Sequence, residues 1–61
     1  MTYDEQKALV PGDRVIFPWC ETATVTKYRF YGTAQWFPAL RFDDGEVCPM
    51  HIFRPEDMTK L

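Results

Sequence analysis

The segment TATVTKY, residues 22–28, decides the fold. Small and polar side chains alternate along it, and four of its seven residues are β-branched Thr or Val. A repeat of two residues puts Ala23 and Val25 on one face, and β-branched residues favour extended backbone. We therefore predict a strand whose Ala23 and Val25 side chains face the core.

A second strand is predicted upstream of this segment, over residues 13–17. The same alternation places Val15 and Phe17 together on one face. Pro18 has no N–H with which to continue a strand ladder, so residues 18–21 are predicted to form a loop.

A short helix is predicted near the N-terminus, over residues 3–9. Thr2 followed three residues later by Glu5 is the pattern of a capping box, which marks a helix start. Pro11 disfavours helical backbone in the residue before it, and Gly12 permits a tight turn, so the helix should end here.

The downstream half of the chain is predicted to add two antiparallel strands. Gly32 and Thr33 indicate a turn near the tip of a long hairpin, which returns as a strand over residues 38–42. The sequence Asp-Asp-Gly at residues 43–45 is typical of a tight turn between strands, because Gly accepts positive φ. Residues 46–48 then form the next strand.

The last part of the barrel is predicted from the positions of two prolines. Residues 49–52 fit a single 3₁₀ turn, residues 53–54 a last short strand, and residues 55–57 a helical turn with Pro at its first position.

Several short strands in a chain of 61 residues cannot hide their apolar faces as an open sheet. Closure into a small five-stranded barrel would remove exposed edges and create one core. The predicted fold class is mainly β, in one domain: an N-terminal helix (1–10), a barrel (11–55) and a tail (56–61). The predicted core consists of Val15, Phe17, Ala23, Val25, Leu40, Phe42, Val47 and Ile52.

The order of these motifs resembles the SH3-like small barrels, including Tudor-like and related bacterial domains. The resemblance covers residues 11–55 and rests on residues 11–15, 23–25, 40–47 and 49–52. It implies a five-stranded barrel with a 3₁₀ turn before the last strand, and it is compatible with a small regulatory or accessory protein of a bacterium or phage.

Tudor-like domains hold methylated Lys or Arg in an aromatic cage, and the resemblance implies a position for such a cage here. Trp19 falls at the first cage position, whereas Asp43 and Asp44 occupy the second, where a further aromatic residue is expected. The chain is also similar to the small barrel of the plasmid-borne dihydrofolate reductases, which act as tetramers around a central pore. The pore-lining motif of that family is absent from this chain.

Charge and cysteine content exclude several classes of protein. The net charge is −2, whereas a binder of nucleic-acid backbone is normally basic. Residues 22–42 nevertheless contain Lys27, Arg29 and Arg41 and no acidic residue, which fits either a protected strand edge or a basic docking face. With no apolar span or signal peptide in the sequence, we expect a soluble, cytoplasmic protein.

Neither metal binding nor catalysis is expected. Cys20 and Cys48 are too few for a disulfide framework, and with His51 they leave a structural zinc site one ligand short. One His without a nucleophile or an orienting group does not make a catalytic site, and Asp43 and Asp44 are adjacent at a turn. We predict a protein that is not an enzyme and that uses no cofactor.

The aromatic residues carry the functional prediction, because 16% of the chain is aromatic and one thin core cannot contain all of these rings. The first hypothesis is an interaction module that binds a protein partner, or itself, through an exposed aromatic and basic face. That face would comprise Trp19, Arg29, Tyr31, Trp36, Phe37 and Arg41. In the structural alternative, Trp36 and Phe30 clamp the helix through Leu9.

Two other functional hypotheses remain open. Cations and stacking rings alternate over Lys27, Tyr28, Arg29, Phe30 and Tyr31, as on surfaces that bind single-stranded nucleic acid. In the third hypothesis, the chain is a subunit of an oligomeric enzyme whose site lies on a symmetry axis.

Overall fold

A computed structural model of the protein describes residues 1–29, 31–32 and 34–61. The molecule is mainly β, with one short helix, five strands and two 3₁₀ turns in the described part. In chain order these are α1 (Tyr3–Lys7), β1 (Arg14–Ile16), β2 (Thr22–Arg29), β3 (Trp36–Phe42), β4 (Val47–Pro49), the first 3₁₀ turn (Met50–Ile52), the second 3₁₀ turn (Pro55–Asp57) and β5 (Thr59–Lys60).

All five strands belong to one antiparallel sheet with the order β4-β3-β2-β1-β5. The mainly β class and the five strands are confirmed. The sheet is not closed into a barrel, because no ladder between the outer strands β4 and β5 is found in the described ranges. The predicted turn at Gly32 and Thr33 falls partly outside the described residues, at Thr33.

The core lies on the inner face of this sheet. Six of the eight predicted core residues are buried: Val15, Phe17, Ala23, Val25, Leu40 and Phe42. Met50 and Met58 complete the cluster, with Leu9, Cys48 and Phe53 packed against it.

The prediction that Val47 belongs to the core is wrong, since 42% of this residue is exposed. Cys48, not Val47, pairs with the buried Leu40 across β3 and β4. Directly opposite residues point to the same side of a sheet, so Cys48 lies over the core. Val47 pairs with the exposed Arg41 and faces outward with it.

The prediction that Ile52 is buried is also wrong, since 58% of this residue is exposed. The first 3₁₀ turn spans Met50–Ile52, as predicted, but the turn presents Met50 to the core instead. In a 3₁₀ turn, residues three apart lie on one face, so Met50 and the half-buried Phe53 point inward and Ile52 points away.

The last strand is β5, at Thr59–Lys60, and not at residues 53–54. Phe53 is an extended residue between the two 3₁₀ turns, whereas β5 pairs with β1 at Val15 and Ile16. A strand therefore forms within the predicted tail. The second 3₁₀ turn, with Pro55 at its start, agrees with the predicted helical turn.

Helix α1 ends at Lys7, two residues earlier than predicted, and its capping box is confirmed. The Thr2 hydroxyl accepts a bond from the Glu5 N–H, and the Glu5 carboxylate accepts one from the Thr2 N–H at 2.9 Å. The buried Gln6 amide donates to the Met58 sulfur at 3.3 Å and to the Phe53 carbonyl at 3.4 Å. These bonds attach the helix to the C-terminal segment.

Candidate functional site: the β2–β3 arm

Strands β2 and β3 continue beyond the strands that flank them. β1 pairs with β2 only from Thr22 to Thr24, and β4 pairs with β3 only from Ala39 to Arg41. The β2–β3 ladder runs on to the pair Arg29–Trp36. We call the two-stranded part, residues 26–29 and 36–38, the arm.

One face of the arm combines two cations with an indole ring. Lys27 and Arg29 have the same phase along β2 as the core residue Val25, and they stand opposite Pro38 and Trp36. The Arg29 guanidinium carbon lies 5.5 Å from the centre of the Trp36 ring, within the range of a cation–π contact. Trp36 is nevertheless 57% exposed. Its ring therefore lies outside the core, and the Arg29 guanidinium does not cover it from solvent.

The opposite face of the arm carries Tyr28 and Phe37, which are cross-strand partners. Phe37 is half-buried and borders a groove of about 320 Å³ together with Tyr3, Gln6 and Leu9. The described residues that line this groove with Leu9 include Phe37 and do not include Trp36. Phe30, the other ring of the predicted clamp on the helix, lies outside the described residues.

Trp19 lies at the other end of β2, in the loop between β1 and β2. The eight residues of β2, roughly 25 Å at about 3.3 Å per residue, separate this loop from Trp36. Its ring stacks on Phe17 with centroids 4.8 Å apart and planes inclined by 16°, and the residue is 50% exposed. Trp19 extends the core cluster of aromatic rings and does not share a surface with the arm.

The predicted contact residues are therefore divided between the β1–β2 loop, which holds Trp19, the tip that follows β2, and the two faces of the β2–β3 hairpin. Arg29 and Trp36 lie on one face of the arm, and the fully exposed Tyr31 follows β2 at its tip. Phe37 lies on the other face, where Arg41 is also exposed farther along β3. The predicted nucleic-acid set is likewise split, with Lys27 and Arg29 on one face and Tyr28 on the other. Phe30 again falls outside the description.

The carboxylates near the second cage position are engaged in local bonds. Thr22 donates a hydrogen bond from its hydroxyl to Asp43, and the Arg14 guanidinium lies 3.3 Å from the same carboxylate. Asp44 accepts a bond from the Glu46 N–H at 2.9 Å within the hairpin turn. The depression beside them is lined by Cys20, Glu21, Thr22, Phe42, Asp43 and Asp44.

The remaining polar candidates are one histidine and two cysteines. His51 and Cys20 are exposed, and Cys48 is half-buried with its thiol donating to the Glu46 carboxylate at 3.7 Å. Partial burial, and then the negative charge of Glu46, raise the pKa of the Cys48 thiol. In the part of the chain that the structure describes, no three His, Cys, Asp or Glu residues are grouped so as to hold a metal ion.

Sequence reasoning missed the role of the backbone at the arm. The prediction from sequence starts a strand at Pro38, whereas this residue lies inside β3 opposite Lys27. A proline within a strand indicates an edge whose N–H would face solvent, and that signal was available from the sequence.

Comparisons with protein-family models, curated proteins and solved structures found no match for this chain.

No helix of the described residues has the length and apolar character needed to cross a membrane.

Proposed function

We propose that this protein is a non-catalytic interaction module that binds a protein partner through the arm. The observation that carries the proposal is the exposed Arg29–Trp36 pair on a ribbon that extends past its flanking strands. Trp and Arg are the residue types that most often dominate the binding energy of interfaces. Isolated two-stranded ribbons are only marginally stable in water, and a partner that packs against the arm would stabilise it.

The proposed architecture is SH3-like, with a bent sheet that wraps around the core without a continuous closing ladder. The order of hairpin, 3₁₀ turn and short final strand supports it. Many small domains of this shape act by contact, which is consistent with a regulatory or accessory protein, although fold alone does not determine function.

The charge distribution favours a protein partner over nucleic acid. The net charge is −2, and the two cations of the arm, Lys27 and Arg29, are few for a surface that must neutralise a phosphate backbone. Binding to single-stranded nucleic acid is the second candidate. The contact of Arg29 with the Trp36 ring, and the position of Lys27 on the same face of the arm, support it.

The test compares Trp36→Ala with Trp19→Ala, because both change an exposed indole but only Trp36 lies on the arm. Immobilised wild-type protein and both variants are incubated with lysate, and the captured proteins are quantified by mass spectrometry. We expect wild type and Trp19→Ala to capture the same proteins and Trp36→Ala to capture none of them. Circular dichroism should show that wild type and both variants are folded. Equal capture by folded Trp36→Ala would refute the proposal.

Two measurements distinguish the other hypotheses. The first is the affinity for a single-stranded oligonucleotide. The second candidate is favoured if this affinity falls steeply with salt and is abolished by Lys27→Glu. A sedimentation mass well above 7.2 kDa would instead indicate self-association, which is also required of an oligomeric enzyme subunit.

A further inference from the structure

The backbone of β2 shows which of its polar groups face away from β3. The Val25 N–H donates to the Asp13 carbonyl at 2.7 Å, and the Val25 carbonyl accepts from the Gly12 N–H at 2.9 Å. In an antiparallel strand, the N–H and C=O of one residue point to the same neighbour, and the direction alternates from residue to residue. Lys27 and Arg29 share the phase of Val25, so their N–H and C=O groups point away from β3.

These groups lie beyond the reach of β1. β1 begins at Arg14, and the last backbone bonds on this side of β2 in the described ranges are those of Gly12 and Asp13 with Val25. At Lys27 and Arg29, β2 is therefore an edge of the sheet, and no described strand lies beside it. Such an edge is a template for an added strand.

The outer edge of β3 differs from that of β2. The Phe42 N–H donates to the Glu46 carbonyl on the β4 side, and Pro38 has the same phase as Phe42. Pro38 has no N–H to offer at this edge, so it cannot donate to an added strand. The arm can thus accept an added strand on its β2 side, whereas its β3 side lacks the N–H donor at Pro38.

The open edge adjoins a shallow depression of about 510 Å³ lined by Pro11, Thr26, Lys27 and Trp36. A strand laid along β2 would place alternate side chains on the face that carries Lys27 and Arg29. Those two cations stand two residues apart without an acidic residue anywhere in residues 22–42. Acidic side chains on an added strand would complement this charge, since opposite charges on cross-strand neighbours stabilise a sheet.

A second copy of this chain does not fit the same edge. Antiparallel pairing of two β2 edges would bring Lys27 and Arg29 of one copy opposite the same cations of the other. Like charges directly across a sheet are destabilising. The charge pattern therefore favours an acidic strand of another protein over a dimer formed by pairing of two β2 edges.

We propose that the arm binds an acidic, extended segment of a partner protein, which adds as a strand to the outer edge of β2 at Lys27 and Arg29. This inference rests on the proposed function and specifies its partner. Main-chain hydrogen bonds supply affinity, and the cations with the Trp36 ring supply specificity.

The first experiment selects binders from a random library of 10-residue peptides displayed on particles, with immobilised wild-type protein as bait. We expect enriched peptides with Asp or Glu at alternate positions, and we expect Lys27→Glu to weaken their binding at least about tenfold. Enrichment of peptides without an acidic pattern, or no enrichment, would overturn the inference.

The second experiment tests strand addition with an enriched peptide and its N-methylated forms. Methyl groups on alternate backbone nitrogens that face β2 remove donors and should weaken binding about tenfold or more. Methyl groups on the intervening nitrogens, which face solvent, are the matched control and should have little effect. Equal effects of both sets would contradict strand addition.

Variants of the protein separate this inference from the function on which it rests. Lys27→Pro removes one outward N–H as Pro38 does on the other edge, and Lys27→Gln removes only the charge. Peptide binding that survives N-methylation and Lys27→Pro but is lost in Trp36→Ala would overturn strand addition and keep the arm as the interaction site. Binding that is indifferent to Trp36→Ala as well would overturn both.

Discussion

Cys20 and Cys48 differ in exposure, and this difference has a chemical consequence. Cys20 lies exposed in the β1–β2 loop, whereas burial and the neighbouring Glu46 carboxylate raise the pKa of Cys48. Because the thiolate is the nucleophile, we predict that iodoacetamide at pH 8 modifies Cys20 several-fold faster than Cys48. Mass spectrometry of the time course measures both rates, and Glu46→Gln should speed the reaction of Cys48 but not of Cys20.

Burial was predicted correctly where a second apolar residue two positions away marks the same face, as at Val15 and Ala23. The prediction failed at Val47, because Val47 and Cys48 are adjacent and both apolar, so the alternation does not indicate which of them faces the core, and a shift of one residue exchanges the two faces. It failed at Ile52 because this residue lies in a 3₁₀ turn, where a repeat of two does not apply.

Alternation along β2 already separates Lys27 and Arg29 from Tyr28. Which β3 ring joins the two cations depends on the register of β2 with β3, which the sequence does not state.

At the scale of an element, the alternation of backbone direction along β2 predicts a pattern of amide exchange. The Thr26 N–H faces β3 within the ladder, whereas the N–H groups of Lys27 and Arg29 face outward. We expect Lys27 and Arg29 to exchange with deuterium at least about tenfold faster than Thr26, as measured by NMR. Comparable protection at all three amides would contradict an open edge on β2.

Helix α1 offers a second test at this scale, because it has only five residues and depends on its cap. Replacing Thr2 by Ala removes the cap and is expected to lower the free energy of unfolding by about 1 kcal/mol, measured by urea denaturation. Thr2→Ser keeps the hydroxyl and serves as the control. An unchanged urea midpoint for Thr2→Ala would contradict this role of the cap.

The same cap gives a pH dependence whose sign follows from Glu5. Hydrogen bonds from Thr2 lower the pKa of the Glu5 carboxyl in the folded state. A lowered folded pKa contributes stability that is present above the ordinary carboxyl pKa and is lost as pH falls through the lowered value. We expect wild type to exceed Glu5→Gln in urea midpoint at neutral pH, and the difference to shrink in acid. A difference that grew in acid would have the wrong sign.

At the scale of the whole molecule, the sequence predicted the class of the fold but not the ends of its sheet. The Asp-Asp-Gly hairpin and the strong β2 pattern each have a local physical signal, a positive-φ Gly45 and β-branched alternation. β5 has no such signal, because its two residues become a strand only by pairing with β1. Met58 precedes it and is fully buried, although Met in a short polar segment does not indicate a core position.

Met58 links the C-terminal segment, helix α1 and the core, so its removal should affect the stability of the entire domain. Its side chain is 0% exposed and its sulfur accepts a hydrogen bond from the buried Gln6 amide. Truncation of a buried Met to Ala costs about 2–5 kcal/mol, which is large for a domain whose total stability is about 0.05–0.15 kcal/mol per residue. We therefore expect Met58→Ala to unfold most of the molecules at 37 °C or to lower the urea midpoint sharply.

Ile52→Ala is the matched control, because it also removes a large apolar side chain but from an exposed position. Exposed substitutions change stability by about 0.5 kcal/mol or less, so its urea midpoint should stay near that of wild type. Circular dichroism follows both transitions. A larger loss of stability in Ile52→Ala than in Met58→Ala would contradict the assignment of Met50 and Met58 to the core in place of Ile52. It would also contradict the packing of β5 and α1 against the sheet.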